Sequence, residues 1–478
     1  MSQVLAKKAL DAPAFHLLID GRLTPGATTM EVINPATGKA FATCPRADAQ
    51  QLDAAVKAAK AAFPAWARLG IEDRRARLMR IADALEARVG EFAELLTAEQ
   101  GKPLAEATGE MAGSVMMIRL LGAMDLPDKV LKEDAREKII EHRTPLGVVA
   151  AITPWNFPMI LLAVKVTPAL LAGNTVVAKP APTTPLTSLK FVELCNEHLP
   201  AGVLNIITDQ NDLGSLLTSH PDVAKVSFTG STVTGKKVMA SAASSLKRIT
   251  LELGGNDAAV VLDDVDVKSV APQIFAYATA NAGQVCLAIK RVYVHESQYD
   301  AMCNELATLA KSAVVGDGMQ PGTQIGPVQN RMQYEKVKAL IADARRTGKI
   351  IAGGEIPDGP GYFIPPTVVR DIPDDARLVR EEQFGPVIPV LKYRTVEEAV
   401  TRVNDSTYGL GGSVWSRDPE RASQVALKID SGTVWVNAHL NCYPDVPAGG
   451  AKQSGIGAEL GMEGLEHYTQ AHIVYVTK

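Results

Sequence analysis

The 478-residue sequence lacks the features that mark several large classes of protein. Its five cysteines form no CxxC pair and have no histidine at metal-ligand spacing, which argues against a disulfide framework and a zinc site. No apolar run is long enough to cross a bilayer, and residues 1–13 are polar and helix-like, unlike a basic-then-apolar leader. We therefore expect reduced thiols, a cytoplasmic location and no membrane partner.

Neither sign of charge is in large excess. The 49 Lys and Arg residues against 53 Asp and Glu residues give a net charge of −4, and the basic residues are scattered. This balance gives no electrostatic reason to expect a nucleic-acid partner. The densest basic cluster, Arg74 to Arg77, falls in an amphipathic helical pattern and is interpreted as a solvated face. The eight histidines are dispersed, so no metal site is predicted.

The first 125 residues predict a hairpin followed by helices. Residues 16–23 have strand-like patterns on both sides of Asp20-Gly21, a dipeptide that favours a tight hairpin turn. A charged segment, 128–143, follows the helical part. Apolar periodicity predicts helices at about 49–69, 71–97 and 104–124.

From Leu146 onwards short apolar strands alternate with helical segments. This alternation is typical of a parallel, doubly wound, nucleotide-binding sheet. A second α/β series covers about 256–437, and the tail 471–476 alternates like a strand with no obvious partner in its own chain. Strands of that kind often extend the sheet of a neighbouring subunit. The strands predicted are 148–152, 175–178, 202–207, 226–228 and 248–252 in the first series, and 292–294 and 432–436 in the second.

One glycine-rich segment follows a predicted strand and opens a helix. Residues 230–237 read GSTVTGKK, close to the P-loop pattern GxxxxGK[ST], and a later strand ends in Asp263 and Asp264. The pattern fails at Lys237, where a hydroxyl should hold Mg²⁺, so an NTPase is kept only as a distant alternative. The glycines of 455–461 are out of register for a dinucleotide fingerprint and follow no strand.

The same glycine-rich segment has a second interpretation. Small residues at a helix start let backbone and hydroxyl groups approach an anion, and the helix dipole favours a phosphate there. Gly230 and Ser231 are therefore candidate pyrophosphate-binding residues. The alternative is an ordinary helix cap by Thr229 or Ser231.

One cysteine and one glutamate carry the strongest chemical signal. Cys286 lies in the stretch Asn-Ala-Gly-Gln-Val-Cys-Leu, and Glu252 precedes a Leu-Gly-Gly turn at a strand end. A thiol can attack a carbonyl and hold the product as a thioester, and a carboxylate can activate the water that releases it. The alternatives are a small core residue, as for Cys44, Cys195 and Cys303, and a salt-bridge partner at a strand end.

Several segments, in the same order along the chain, resemble motifs of the NAD(P)-dependent aldehyde dehydrogenase superfamily. Each segment alone is short enough to arise by chance, whereas the whole ordered set is hard to explain otherwise. The segments are TPWNFP at 153–158, GNTVVAKP at 173–180, FTGS at 228–231, ELGGN at 252–256, the stretch around Cys286, EEQFGPV at 381–387 and PAGGAKQSGIG at 447–457.

This resemblance implies a fold and a division into domains. The implied fold is α/β, with a Rossmann-like cofactor domain, an α/β catalytic domain and a small β oligomerisation arm. The cofactor-binding domain would span 1–125 and 144–254, the catalytic domain 255–445, and the arm 126–143 and 462–478. A homodimer or homotetramer is expected.

The resemblance also implies roles for single residues. Cys286 would be the nucleophile, Glu252 the base, and Asn156 a donor to the oxyanion alongside the backbone N–H of Cys286. Lys179 would reach the adenosine ribose and Glu382 the nicotinamide ribose. The candidate cofactor-binding residues are Trp155, Lys179, Pro182, Gly230, Ser231, Leu253, Glu382 and Phe384, and the candidate substrate-pocket residues are Phe157, Val285, Leu287, Cys442 and Ala448.

Two departures from the family pattern bear on specificity. Many NAD-preferring relatives carry a glutamate at the third position after Lys179; this chain has Pro182, so NAD is expected and NADP stays open. Ala448 replaces a phenylalanine of the family motif, which predicts an apolar funnel open to a bulky or aromatic aldehyde. No arginine or lysine adjoins Cys286 in sequence, which counts against a dicarboxylic semialdehyde.

The expected reaction is oxidation of a small-molecule aldehyde to its carboxylate, with reduction of NAD(P)⁺. Cys286, as thiolate, would form a thiohemiacetal, hydride would pass to the nicotinamide, and Glu252 would activate the water that hydrolyses the thioester. The presence of Glu252 favours hydrolysis over transfer to coenzyme A. A semialdehyde dehydrogenase is the first alternative, and a P-loop-like NTPase is a distant one.

Overall fold

The computed structural model describes residues 15–478, so the polar stretch 1–13, predicted to be helical, lies outside the described residues. The strands are β1 (Leu17–Ile19), β2 (Arg22–Thr24), β3 (Thr28–Asn34), β4 (Lys39–Arg46), β5 (Lys129–Glu133), β6 (Glu137–Pro145), β7 (Val148–Ile152), β8 (Thr175–Lys179), β9 (Leu204–Ile206), β10 (Val223–Thr229), β11 (Arg248–Glu252), β12 (Asp257–Val261), β13 (Ile289–His295), β14 (Lys349–Ala352), β15 (Thr367–Arg370), β16 (Val387–Tyr393), β17 (Gly411–Trp415), β18 (Thr433–Val436), β19 (Gly455–Ile456) and β20 (Thr469–Thr477). The helices are α1 (Ala49–Arg68), α2 (Ile71–Glu86), α3 (Val89–Gln100), α4 (Leu104–Gly122), α5 (Pro158–Leu171), α6 (Leu186–Asn196), α7 (Gly214–Ser219), α8 (Thr232–Ala243), α9 (Val267–Thr279), α10 (Tyr299–Ser312), α11 (Arg331–Thr347), α12 (Arg377–Arg380), α13 (Val396–Asn404), α14 (Pro419–Ala426) and α15 (Gly461–Glu466), with short 3₁₀ turns at Ala280–Gly283 and Lys452–Ser454.

The first sheet has the strand order β19-β11-β10-β7-β8-β9-β1-β2. Neighbouring strands from β11 to β9 are parallel, and β7 is a fully buried apolar run, as expected of a strand covered on both faces. The chain builds β8 and β9 on one side of β7 and then returns to place β10 and β11 on the other. The strand order therefore reverses between β7 and β10, where open α/β sheets bind ligands at the carboxyl ends of the strands. The predicted Rossmann-like sheet is confirmed.

The second sheet has the strand order β14-β15-β16-β13-β12-β17-β18. Only β14 runs antiparallel to its neighbour, and β12 is fully buried. Because β11 ends at Glu252 and β12 begins at Asp257, residues 253–256 carry the chain from the first sheet into the second. The Leu-Gly-Gly-Asn link thus joins the two sheets directly.

The tail strand has a partner in its own chain, which corrects the expectation from the sequence. In the third sheet, of order β20-β6-β5, β20 pairs antiparallel with β6 from Thr469 opposite Pro145 to Thr477 opposite Glu137. The pairing was not visible in the sequence because β6 reads EKIIEHRTP, a charged segment with weak alternation. A two-stranded sheet of β3 and β4 was also not predicted.

The second predicted helix, 71–97, is two helices. The chain leaves helical geometry at Arg88 (φ −121°, ψ 13°), between α2 and α3. Leu85 before the break and Phe92 after it are both fully buried, seven residues apart, as they would be along one continuous helix. Apolar periodicity therefore continues across the break and could not show it. The hairpin at Asp20-Gly21 is confirmed, with φ of 53° and 72° at the two turn residues.

The basic cluster at 74–77 is not a solvated face. Arg74 is buried, and its Nε donates to the carbonyl of Leu171 at 2.8 Å. Arg77 donates to the carbonyl of His198 at 2.9 Å. Carbonyl groups past the end of a helix lack partners within the helix and favour a cation. The arginines therefore hold helix ends together, a contact between distant segments that an isolated helical pattern does not reveal.

Two kinds of feature are missing from the part of the chain that the structure describes. No helix there combines the length and the apolar composition needed to cross a bilayer. Within residues 15–478, no three His, Cys, Asp or Glu side chains converge in a way that could hold a metal ion.

Candidate active site

The loop that carries Cys286 has an unusual backbone. Between α9 and β13 the consecutive residues Asn281, Ala282 and Gly283 have φ of 50°, 55° and 73°. Left-handed geometry costs free energy for the first two, which have side chains, so surrounding contacts must hold it. The Asn281 side chain supplies such contacts, because its Oδ1 accepts from Gln100 Nε2 at 2.9 Å and its Nδ2 donates to the carbonyl of Asn156 at 2.9 Å.

The glycine-rich link lies directly against the cysteine. A Cβ atom at Gly255 would lie 2.5 Å from the carbonyl oxygen of Cys286, so no larger residue fits without a shift. Lys290 Nζ donates to the same carbonyl at 2.6 Å and to that of Val285 at 2.8 Å. This contact brings the end of β11, which carries Glu252, to the Cys286 loop. Lys290 is a basic residue beside the cysteine in space, although none adjoins it in sequence.

Asn156 connects the first sheet to the same loop. It follows β7, is buried, and its Nδ2 donates to the carbonyl of Gln284 at 2.9 Å. Its own carbonyl accepts from the buried ammonium of Lys102 at 2.9 Å. Lys102 also pairs with buried Glu110 at 2.6 Å and lies 3.7 Å from the centroid of the Phe157 ring. Lys102 and Glu110 were not predicted from the sequence, because Gly-Lys-Pro signals only a helix end.

Glu252, at the end of β11, has a buried carboxylate oxygen. Its Oε1 is buried and accepts no hydrogen bond from the described residues. Burial raises the pKa of this carboxyl well above its usual range, and the negative charge of Glu459 raises it further, whereas the Lys165 ammonium opposes the shift. Lys165 and Glu459 form a buried ion pair with each other, which the sequence analysis also missed. The Oε1 atom of Glu252 can therefore accept a hydrogen bond from a small molecule.

The Cys286 thiol is half-buried, and its surroundings raise its pKa. Burial raises its pKa to about 12, and the charges of Glu382 and Glu252 add to this effect while the Lys290 ammonium opposes it. A nucleophilic thiolate forms only when the proton leaves the thiol. Burial therefore disfavours the thiolate that an attack on an aldehyde requires.

Two aromatic side chains lie beside the predicted substrate-pocket residues. They were not predicted from the sequence. His439 Nε2 donates to the carbonyl of Leu287 at 2.6 Å, and the Trp435 ring centroid lies 4.8 Å from that of His439. Cys442 and Ala448 are partly buried and pack against the core of the first sheet, which also contains α5. Residues predicted to line the substrate funnel thus come from both sheets.

Several of the predicted cofactor-binding residues meet across the two sheets. Trp155 follows β7, Phe384 precedes β16, and their rings meet edge to face with centroids 5.3 Å apart. Glu382 Oε1 accepts from the backbone N–H of Gly255 at 2.9 Å, which holds its carboxylate on the glycine-rich link. Leu253 is buried, and its N–H donates to the carbonyl of Ser454 at 2.8 Å.

The predicted phosphate-side residues lie at the point where the strand order reverses. The N–H of Gly230 donates to the carbonyl of Glu252 at 3.0 Å, and Ser231 Oγ accepts from the N–H of Thr234 at 3.3 Å, which makes it the N-cap of α8. The hydroxyls of Thr153 and Thr229, after β7 and at the end of β10, are buried without a hydrogen-bond partner among the described residues. These unpaired hydroxyls suit a polar ligand at this edge, so the residues present fit a dinucleotide.

The predicted adenosine-side lysine has a partner that the sequence did not indicate. Lys179 ends β8, and its Nζ lies 2.6 Å from Asp209 Oδ1, with both side chains buried. Asp209 follows β9 in an ordinary Thr-Asp-Gln stretch, and nothing in that stretch points to the pairing. Pro182 is half-buried nearby in sequence.

The two halves of the P-loop pattern are separated in the fold. Gly230 follows a strand of the first sheet, whereas Asp263 and Asp264 follow β12 in the second. Asp264 accepts from Ser416 Oγ at 2.8 Å, and Asp263 pairs with Arg421 at 2.7 Å. These aspartates hold their own sheet together, which removes the structural basis of the NTPase alternative.

Comparison with known proteins agrees with this arrangement. A sequence profile described as the aldehyde dehydrogenase family matches residues 23–474. A probable aldehyde dehydrogenase from a Pseudomonas species is 42% identical over 468 residues, covering 97% of this chain and 95% of its own. Phenylacetaldehyde dehydrogenase from Pseudomonas fluorescens is 40% identical over 460 residues, covering 92% and 91%. The solved structure of betaine aldehyde dehydrogenase from Staphylococcus aureus in complex with NAD⁺ superimposes with a TM-score of 0.94 at 33% identity, covering 98% and 95%.

The chain belongs to the aldehyde dehydrogenase family. It is an enzyme that oxidises aldehydes with a nicotinamide dinucleotide, as the motifs around Cys286 and Glu252 imply.

Proposed function

We propose that this enzyme oxidises its aldehyde through a covalent thioester on Cys286. The observation that carries the proposal is the contact of three separate segments at one point: the Cys286 loop, Asn156 bonded to the carbonyl of Gln284, and Gly255 against the carbonyl of Cys286. In this proposal a nucleophile, an amide donor and a carboxylate, each from a different element, act on the carbonyl group of the aldehyde.

Asn156 and the backbone N–H of Cys286 stabilise the oxyanion in this proposal. The Asn156 amide has two N–H groups, and one donates to the carbonyl of Gln284. That bond fixes the plane of the amide and leaves the second N–H for the oxygen of the substrate. Donors fixed in advance stabilise developing negative charge most effectively in a site with little water.

Glu252 acts as the base that activates water for thioester hydrolysis. Its Oε1, which has no partner among the described residues, can accept a hydrogen bond from the water, and its raised pKa makes the carboxylate a stronger base than that of an exposed glutamate. Because the charged form is the base, hydrolysis accelerates as pH rises through this raised pKa.

NAD is the proposed cofactor, and NADP the weaker alternative. The bound dinucleotide supplies the hydride acceptor for the oxidation. Gly230 and Ser231 would hold its pyrophosphate, Lys179 and Pro182 would line the adenosine side, and Glu382 would bind the nicotinamide ribose. The further residues proposed around it are Trp155, Leu253 and Phe384. Support comes from the unpaired hydroxyls of Thr153 and Thr229 and from the NAD⁺ complex of the Staphylococcus aureus relative.

The proposed substrate is a bulky apolar or aromatic aldehyde. Small side chains at Cys442 and Ala448 leave volume in the predicted funnel, and Phe157, Val285 and Leu287 line it with apolar surface. The name of the phenylacetaldehyde dehydrogenase relative supports an aromatic aldehyde. A semialdehyde would need a cation for its carboxylate, and the ammonium of Lys290, beside Cys286, already donates to two backbone carbonyls. NAD⁺ reduction with aromatic, aliphatic and semialdehyde substrates separates the two.

The third sheet is the proposed oligomerisation arm of a homodimer or homotetramer. Tyr475 in β20 is 70% exposed, and Val130 and Leu131 in β5 are each 53% exposed, which leaves apolar surface for a second copy to cover. The division into domains at 125–126, 143–144 and 254–255 and the cytoplasmic location stay predictions.

Replacement of Glu252 by Gln tests the proposed reaction. We expect a burst of reduced cofactor in the first turnover, because acylation persists, followed by a steady-state rate about 10²–10⁴-fold lower because hydrolysis has lost its base. Glu463→Gln, on α15, is the matched control and should leave both phases unchanged. An unaltered steady-state rate in Glu252→Gln would contradict the role of Glu252.

A further inference from the structure

A buried ion pair lies at the end of the candidate cofactor site that we propose for the adenosine. Lys179 Nζ and Asp209 Oδ1 are 2.6 Å apart, and their side chains are 5% and 0% exposed. The second oxygen, Asp209 Oδ2, accepts from the backbone N–H of Leu213 at 2.9 Å. Both carboxylate oxygens are therefore bonded within the chain, and the lysine is held in one position.

The pair lies at the edge of the sheet where a ligand would bind. β8 and β9 are parallel neighbours with Ala178 opposite Ile206, so Lys179 and Asp209 emerge from adjacent carboxyl ends. The carbonyl of Lys179 also accepts from the N–H of Thr153 at 3.2 Å. This contact ties the lysine to the end of β7, at the point where the strand order reverses.

The charge of the pair matters for the choice between two dinucleotides. NADP differs from NAD by a 2′-phosphate on the adenosine ribose, which carries a charge of about −1.5 to −2 near pH 7. An unpaired Lys179 would attract that phosphate as a point charge. Asp209 neutralises the lysine, and its own negative charge repels a phosphate. Pro182, at the position where NAD-preferring relatives carry a glutamate, supplies no such charge.

We infer that Asp209, acting through Lys179, makes this enzyme select NAD over NADP. The inference rests on the proposed use of NAD at this site. Asp209 is a positioning residue, since its oxygens are occupied by Lys179 and Leu213. Asp209 supplies the negative charge that a glutamate at the position of Pro182 would supply. It follows β9, whereas Pro182 follows β8.

The test measures binding of each dinucleotide to the enzyme without aldehyde, by quenching of tryptophan fluorescence. The wild-type protein should bind NAD⁺ at least tenfold more tightly than NADP⁺. In Asp209→Asn the ratio of the two Kd values should shift at least tenfold towards NADP⁺. Asp222→Asn is the matched control, because Asp222 pairs with Lys60 just before the amino end of β10, and its ratio should stay that of the wild type.

A second variant separates charge from loss of folding. In the double variant Lys179→Met/Asp209→Leu no cation is left to attract the phosphate, so no gain in NADP⁺ affinity is expected. An unchanged ratio in Asp209→Asn, equal weakening of both dinucleotides, or a gain for NADP⁺ in the double variant would overturn the inference. If wild-type protein binds neither dinucleotide, the proposed cofactor use fails; if it binds NAD⁺ and only the shift is absent, the inference alone fails.

Discussion

The corner that we propose for catalysis and the three-stranded sheet of β5, β6 and β20 are incomplete in opposite ways. The corner, formed by Asn156, Glu252 and Cys286, buries Glu252 Oε1 without a hydrogen-bond partner among the described residues. The three-stranded sheet pairs its backbone along the whole length of β20 but leaves apolar side chains such as Tyr475 in solvent.

Each deficit indicates the kind of molecule that completes the region. A buried polar atom without a partner costs free energy, and one retained in a fold is explained by a ligand or water that bonds to it. Exposed apolar side chains are what a protein interface would cover. The corner therefore suits a small polar molecule, and the sheet suits the second chain that we propose.

The largest effect is expected from removing the nucleophile. Cys286→Ala should lower kcat for aldehyde oxidation by at least about 10⁴-fold, because no other group in the corner can hold the acyl intermediate. Steady-state reduction of NAD⁺ with an aromatic aldehyde measures it. Cys303→Ala, in the buried face of α10, is the control that should keep its activity. Appreciable turnover by the Cys286 variant would show that the corner works without its thiol.

Removing the amide donor should have the next largest effect. Asn156→Ala should lower kcat by about 10²–10³-fold, since one hydrogen bond to the oxyanion is lost. Asn156 could also matter only because its bond to Gln284 supports the loop. NAD⁺ affinity and melting temperature distinguish the two roles, because a loss confined to kcat indicates that Asn156 stabilises the oxyanion. A variant with normal kcat would contradict the placement of Asn156 in the corner.

The pH dependence of alkylation sharpens the account of the corner. With the pKa of Cys286 raised to about 12 from an ordinary value of 9.0, its thiolate fraction is small at pH 7 and grows with pH. Iodoacetamide labelling of Cys286 in cofactor-free enzyme should therefore rise about tenfold per pH unit between pH 7 and 10. Labelling that levels off below pH 10 would mean that the thiol has an ordinary or lowered pKa.

The smallest effect on catalysis is expected from the three-stranded sheet. Val474→Lys with Val476→Lys places two charges on one face of β20 and should lower the molar mass in solution to that of a smaller assembly, measured by light scattering. Leu427→Lys, at an 81% exposed leucine outside this sheet, should leave the mass unchanged. An unaltered mass in the double variant would mean that the partner binds elsewhere.

Local patterns predicted the strands of the site better than its supporting contacts. The carboxyl ends of β7, β10 and β11 were predicted because buried parallel strands are short apolar runs bounded by turns. Motif resemblance, not periodicity, singled out Asn156 and Glu382. Both lie in loops, where side-chain spacing carries no structural period.

What the sequence could not predict depends on pairing between distant residues. Lys102 with Glu110, Lys165 with Glu459 and Lys179 with Asp209 are buried ion pairs. A charged residue in a sequence is most simply interpreted as solvated, and only the fold shows that it is buried with its partner. The pairing of β20 with β6 could not be predicted for the same reason, because the sequence of β6 is a charged segment.

The most direct test of the central claim is to trap the intermediate. Glu252→Gln enzyme, mixed with NAD⁺ and an aromatic aldehyde and then quenched in acid, should gain the mass of one acyl group, and peptide mapping should place it on the peptide that contains Cys286. An unmodified protein after a full burst of reduced cofactor, or an acyl group on another cysteine, would contradict the covalent mechanism.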